Sequence, residues 1–383
     1  MPVAMPVLYP SAIKKRILSR NRWNSSFALS NNVYAQTINK KIMKKTISIM
    51  AGILLSLLGL NAQDAAKAYK IVQKIHLEGD GFWDYLNADD ATGMLYVSHG
   101  KMVHVVDMST GKSVATITDV NGVHGIAIAP EFNKGFTSNG ADNNVTVFNT
   151  KDNSVVEKVA IDGKNPDGII YEPFTKTIIT WNGRSSNATV IDAKTDKVLQ
   201  NIELPGKPEE AVSDGKGKVF VNIEDKSEVC MINVKTWKVE ATWPISPGEE
   251  PSGIALDNVN HRLFCMTDKL MVVLDVESGK VVTTLPTGGR VDGGGFDPGL
   301  LRAYSSSGEG VLTVVQEGKG GFKVLGNVPT QAGCRTMSVS AKTHRIYLST
   351  AEFGPAPEKT ADNPRPRPSL KPGTFMVLVV APE

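Results

Sequence analysis

Cysteine is scarce: Cys230, Cys265 and Cys334 are the only three in 383 residues. An odd, scattered set excludes a disulfide framework, and without a Cys-x-x-Cys pair a structural zinc site has no support. The chain also lacks Gly-x-Ser-x-Gly and any evident Ser/His/Asp grouping, so acyl transfer has no nucleophile motif behind it. Long amphipathic helical stretches are few. Acidic residues are missing altogether from residues 1–62, which hold nine Lys and Arg. The formal charge of +3 therefore misleads. Taking those nine from the 42 basic residues leaves 33 against 39 Asp and Glu, a net of −6 for the body. That sign repels a phosphate backbone, so nucleic acid is a disfavoured partner.

What is present begins with an export signal. Met43-Lys44-Lys45 is a basic start, Ile47 to Leu60 is an uncharged run of 14 residues, and Asn61-Ala62 closes it on a small residue. At 1.5 Å rise per residue that run falls short of a bilayer. Residues 43–62 therefore read as a cleaved signal peptide, and no other run is long enough for a transmembrane anchor. No Cys stands near the cleavage point, which disfavours a lipid anchor. Residues 1–42 share the basic, acid-free character of a transit peptide; the simpler reading is an extension without a fold ahead of a true start at Met43. The mature chain is expected in the periplasm or outside the cell.

Gly at 35 and Pro at 21 suit many short strands joined by turns. One turn recurs after a short apolar strand: Val106-Asp107-Met108-Ser109-Thr110-Gly111, then turns opening at Asn149, Asp192, Asn233 and Asp275, at intervals of 41 to 43 residues. A degraded copy lies at Gln316-Glu317-Gly318. An Asx side chain bonds its own backbone, and a late Gly, Asn or Asp tolerates positive φ, which is hairpin chemistry. Apolar starts such as Gly125-Ile126-Ala127-Ile128 and Gly253-Ile254-Ala255-Leu256 keep the same beat. Each unit holds four strands; in the third they are Ile169–Tyr171, Thr177–Trp181, Ala188–Ile191 and Val198–Leu204. Seven such units predict an all-β, seven-bladed β-propeller of four-stranded antiparallel blades over residues 67–383. The last unit shows only three strands. Ile71 to Leu77 parallels Val198 to Leu204, so the N-terminal strand is expected to close the last blade and hide its edge.

Tyr96-Val97-Ser98-His99, Phe136-Thr137-Ser138-Asn139 and Tyr347-Leu348-Ser349-Thr350 resemble the Tyr-Val-Thr-Asn stretch of the YncE family of bacterial propellers. Pro166-Asp167-Gly168-Ile169 and Pro251-Ser252-Gly253-Ile254 resemble that family's lead into the first strand. The resemblance covers the whole body. It implies the seven-bladed fold and leaves chemistry open, because such propellers include ligand-binding surface proteins and a DNA-binding periplasmic protein, and related ones are lactonases.

In a four-stranded blade, the loop leading into strand one and the loop after strand two open on one face. The first set reads Asp84, His124, Asp167, Glu209, Ser252, Asp292 and Arg335 around the blades. The second contributes His99, Asn139 and Asn182, with Arg184 just beyond. Four carboxylates, a His and an Arg at a channel mouth suit a polar ligand pocket, against a solvated funnel that is merely wet. Phe82-Trp83 and Trp181 could add a stacking wall for a planar or sugar-like ligand. Asp84, Asp167, Glu209 and Asp292 could offer oxygens to a hard cation, and His124 would suit a transition metal, but a ring spreads its ligands, so no metal set is assigned and no cofactor is named. Residues 351–373, rich in alternating Pro and Arg, should overhang the mouth as a partial lid or docking arm, or as an unanchored excursion.

The leading expectation is a non-enzymatic binding protein for a small polar ligand or a protein partner. The alternatives are a lactonase-like, metal-assisted hydrolase, or a scaffold or nucleic-acid-binding propeller. Ligand identity and oligomeric state are not legible.

Overall fold

The computed structural model describes residues 69–358, 360 and 368–383. The expected extension and signal peptide lie outside the described residues. Seven four-stranded antiparallel sheets follow one another along the chain. Blades 1 to 6 span residues 86–118, 123–160, 166–203, 208–244, 253–286 and 291–329. Blade 7 takes Met337–Ser340, Arg345–Thr350 and Met376–Pro382, and its outer strand is Tyr69–His76 from the N-terminal side. Tyr69 secures that closure: its hydroxyl meets Tyr304 Oη at 2.9 Å and accepts from Arg302 Nη1 at 2.7 Å, both on blade 6. Among the described residues no helix is long and apolar enough to cross a membrane.

The turns form for the reason the sequence supplies. Asp107 Oδ1 accepts from Ser109 N at 2.7 Å, Asp192 Oδ1 from Thr195 N at 2.7 Å, and Asp275 Oδ1 from Ser278 N at 3.0 Å. The late turn residues Gly111, Asn153, Asp196, Trp237 and Gly279 all have φ between 54° and 70°, where a Cβ is disfavoured. Second and third strands are buried on both faces because each blade is sandwiched between two others; Thr177–Asn182 is buried at every position. The core is therefore blade against blade. Ile179 and Trp181 of blade 3 pack on Val219 and Val221 of blade 4, for instance, and each such side chain contributes about 1.5–3 kcal/mol on burial.

Outer strands differ. In every blade the ladder between the third and outer strands slips by one residue. Such bulges add twist and spoil an exposed edge as a template for further pairing. At the axis the constraint is close approach. A Cβ on Gly253 would lie 2.6 Å from the Gly293 carbonyl carbon on the next innermost strand, so the converging strands leave room only for hydrogen there.

Candidate functional site

The chain reaches the channel mouth through a repeated kink. Two residues before the mouth position stand Gly122, Asn165, Glu250, Arg290 and Gly333 in five of the seven blades, all with positive φ. That left-handed step delivers the next side chains but one to the opening. Five mouth side chains, from consecutive blades, touch in a row. Asp292 pairs with Arg335. Arg335 Nη1 lies 3.2 Å from Asp84 Oδ1, and Nη2 donates to the Trp83 carbonyl at 2.7 Å. Asp84 Oδ2 lies 2.6 Å from His124 Nδ1, which is 3.4 Å from Asp167 Oδ1. Blades 6, 7, 1, 2 and 3 are thereby stitched together by alternating charge.

The row continues with a break. Glu209 of blade 4 pairs with Lys207 at 2.5 Å, and Lys207 also holds Glu224. Ser252 of blade 5 turns away and donates to the Val291 carbonyl at 2.7 Å.

The electrostatics follow from this spacing. Burial alone would lower the His124 pKa, but the hydrogen bond to Asp84 and the charges of Asp167 and Asp84 outweigh it and raise it to about 9. Burial also opposes ionisation of Asp84, yet His124 and Arg335 hold its carboxyl below the usual value. Asp167 is pushed up to about 6 by burial and by the Asp84 charge. Glu209 rises to about 8 through burial and Asp167, even with Lys207 beside it. Glu210 rises to about 8, chiefly by burial, while its Oε2 accepts from Ile254 N of the neighbouring blade 5 at 2.9 Å. Tyr85 is raised well above its ordinary value by burial and by the charges of Glu209, Asp167, Asp84 and Glu210. Carboxylates thus outnumber cations here, and the excess is unevenly shared.

Beside the row opens a cleft of about 640 Å³. Phe82, 65 % exposed, stands at its wall with Trp83 and Phe353. Trp83 packs on Phe353 and Phe375 at centroid distances of 6.2 and 5.5 Å. Phe353 comes from the base of the 351–373 insertion, where it bridges to Leu370, and Pro368 also borders the cleft. The insertion's base therefore lies over the mouth. Arg290 adds a guanidinium that donates to the Gly308 carbonyl at 3.1 Å and has no carboxylate partner among the described residues.

The second expected set is not brought to this opening. Asn139 and Asn182 are fully buried in their blades. Asn139 Nδ2 donates to Asn144 Oδ1 and Thr146 Oγ1 at 2.8 and 2.9 Å, and Asn182 does the same with Asn187 and Thr189 at 2.9 and 3.0 Å. His99 is also buried, stacked on Phe375 at 3.9 Å and 3.2 Å from His104 Nε2. It borders a separate cavity of about 160 Å³. Arg184 is exposed on its loop. The expected stacking role of Trp181 fails because its indole is fully buried in the interface between blades 3 and 4. Cys334 is buried too, and burial pushes its thiol up to about 11, so it is not a reactive nucleophile.

Lys207 and Arg290 were not singled out by sequence, whereas Phe82 was, with Trp83, as part of a stacking wall. Each stands two residues before a mouth residue, and the period of an extended strand was the available signal. Asp84 Oδ2, His124 Nδ1 and Asp167 Oδ1 are the atoms that could hold a metal, all within 4.8 Å of one another.

No protein-family model and no curated protein matches the chain. Solved structures do. One is a chain of Kuenenia stuttgartiensis hydrazine synthase, at TM-score 0.64 and 15% identity, covering 71% of this chain and 94% of that one. Another is U3-55K, at TM-score 0.66 and 7% identity, covering 82% and 98%. The chain is a β-propeller. At such identities the likeness shows the fold alone.

Proposed function

We propose that this chain is an exported, YncE-like propeller that binds a small ligand at its channel mouth without transforming it. The family resemblance rests on the Tyr96-Val97-Ser98-His99 type of second strand, and export on residues 43–62. One observation carries the ligand reading: a 640 Å³ cleft joins an aromatic wall, Phe82, Trp83 and Phe353, to the uncompensated guanidinium of Arg290. That volume suits a small organic molecule. A flat apolar body would lie on the aromatic side, and an anionic group, carboxylate or phosphate, would meet Arg290.

The test is a thermal-shift screen of the purified protein with aromatic carboxylates and aryl phosphates, followed by calorimetry on the best compound. Arg290→Ala and Phe353→Ala should each weaken binding about tenfold, the loss of one charge-assisted hydrogen bond or one aromatic contact. A hit unmoved by both changes, or hits confined to cationic compounds, contradicts the reading.

A further inference from the structure

We propose that Asp84, His124 and Asp167 form a site for one divalent first-row transition-metal ion at the channel mouth. The geometry comes first. The donor separations from His124 Nδ1, 2.6 Å to Asp84 Oδ2 and 3.4 Å to Asp167 Oδ1, bracket the roughly 3.0–3.3 Å expected between neighbouring ligands of an ion bound at about 2.1 Å. One imidazole and two carboxylates is a donor set that suits zinc, manganese or iron better than calcium.

The imidazole is also seated. A Cβ on Gly140 would meet His124 Nε2 at 2.7 Å and Asn165 Oδ1 at 2.9 Å, so the ring lies against bare backbone with Nδ1 turned to the two carboxylates. On the far side of Asp84, Arg335 engages Oδ1 and leaves Oδ2 for the ion. Such outer contacts fix the orientation of a ligand.

Tyr85 follows Asp84 directly in the chain. Tyr85 is only 9 % exposed, and its hydroxyl has no hydrogen-bond partner among the described residues. It stands in the field of Asp84, Asp167, Glu209 and Glu210. A water carried by the ion would give that hydroxyl a partner in place of bulk solvent. The ion takes the place of the proton between His124 and Asp84, which is released to solvent.

Calorimetric titration of MnCl2 and ZnCl2 into the chelator-treated full chain tests the site with no organic ligand present. A negative result here leaves the cleft reading standing, and the reverse also holds. One ion per chain is expected. Asp84→Asn, His124→Gln and Asp167→Asn should each weaken it at least about tenfold. Glu277→Gln, which alters an exposed acid 3.4 Å from His261 elsewhere on the surface, should change it less than about twofold. Pulsed EPR of the manganese-loaded unaltered protein should show one imidazole nitrogen coupling, and this readout holds even if a variant fails to fold. No binding by folded protein, affinity unchanged in folded triad variants, or no nitrogen coupling would each overturn the proposal.

Discussion

Asn139 in blade 2 and Asn182 in blade 3 sit one repeat apart and do the same work; His124 and Asp167, which lead into the same two blades, do different work. Each Asn is fully buried and donates from one amide nitrogen to an Asn and a Thr of the next strand. The cages are neutral, closed and copied. The mouth residues carry opposite charges, remain part-exposed and join neighbouring blades rather than bracing their own. Within this chain, positions filled alike from repeat to repeat hold up the blades. Positions filled differently converge on the channel mouth and pair from blade to blade. Blade 1 lies between the two cases, because His99 and His104 stand where the cages have Asn and Thr.

The comparison can be broken hardest at the axis. Gly253→Val drives a side chain into the backbone of Gly293 and Gly294, which must move to admit it. Loss of about 3 kcal/mol or more is expected, read as a fall in the urea midpoint.

Next comes acid. Burial, and then the nearby His99, depress the His104 pKa to about 4 from the ordinary 6.5. A depressed histidine contributes full stability above pH 6.5 and loses it as pH falls toward 4. Between pH 7 and 4.5 this group should remove about 2–3 kcal/mol. His104→Thr, which copies the Thr146 cage, should flatten that part of the urea-derived stability profile. An unchanged slope would mean that blade 1 is not the acid-sensitive blade.

The smallest effect belongs to the rim. Val156 is 56 % exposed at an outer-strand bulge, and Val156→Thr should shift stability by less than about 0.5 kcal/mol.

The fold was legible because its causes are local and periodic. Asp107, Asp192 and Asp275 announce hairpins by their own chemistry, and the closing strand announces itself by likeness to Val198 to Leu204. The order of Asp84, His124, Asp167, Asp292 and Arg335 around the mouth was legible for the same reason. Their distances were not, since a ring of residue types does not say which side chains reach one another; three of them meet closely enough to suit a metal. Asn139, Asn182 and His99 were misleading because the end of a second strand lies inside the sheet, flanked by strands one and three. Their polar groups are spent on the blade. Arg290 and Lys207 were recoverable by stepping back two residues from Asp292 and Glu209.

The separation between bracing and chemistry is tested most directly by setting Asn182→Ala against Asp167→Asn, with urea unfolding and manganese titration on both. Asn182→Ala should lose about 1–3 kcal/mol and keep its manganese affinity, while Asp167→Asn should keep its unfolding midpoint and lose affinity at least about tenfold. If Asp167→Asn unfolds as readily as Asn182→Ala, the mouth is another brace and the account fails.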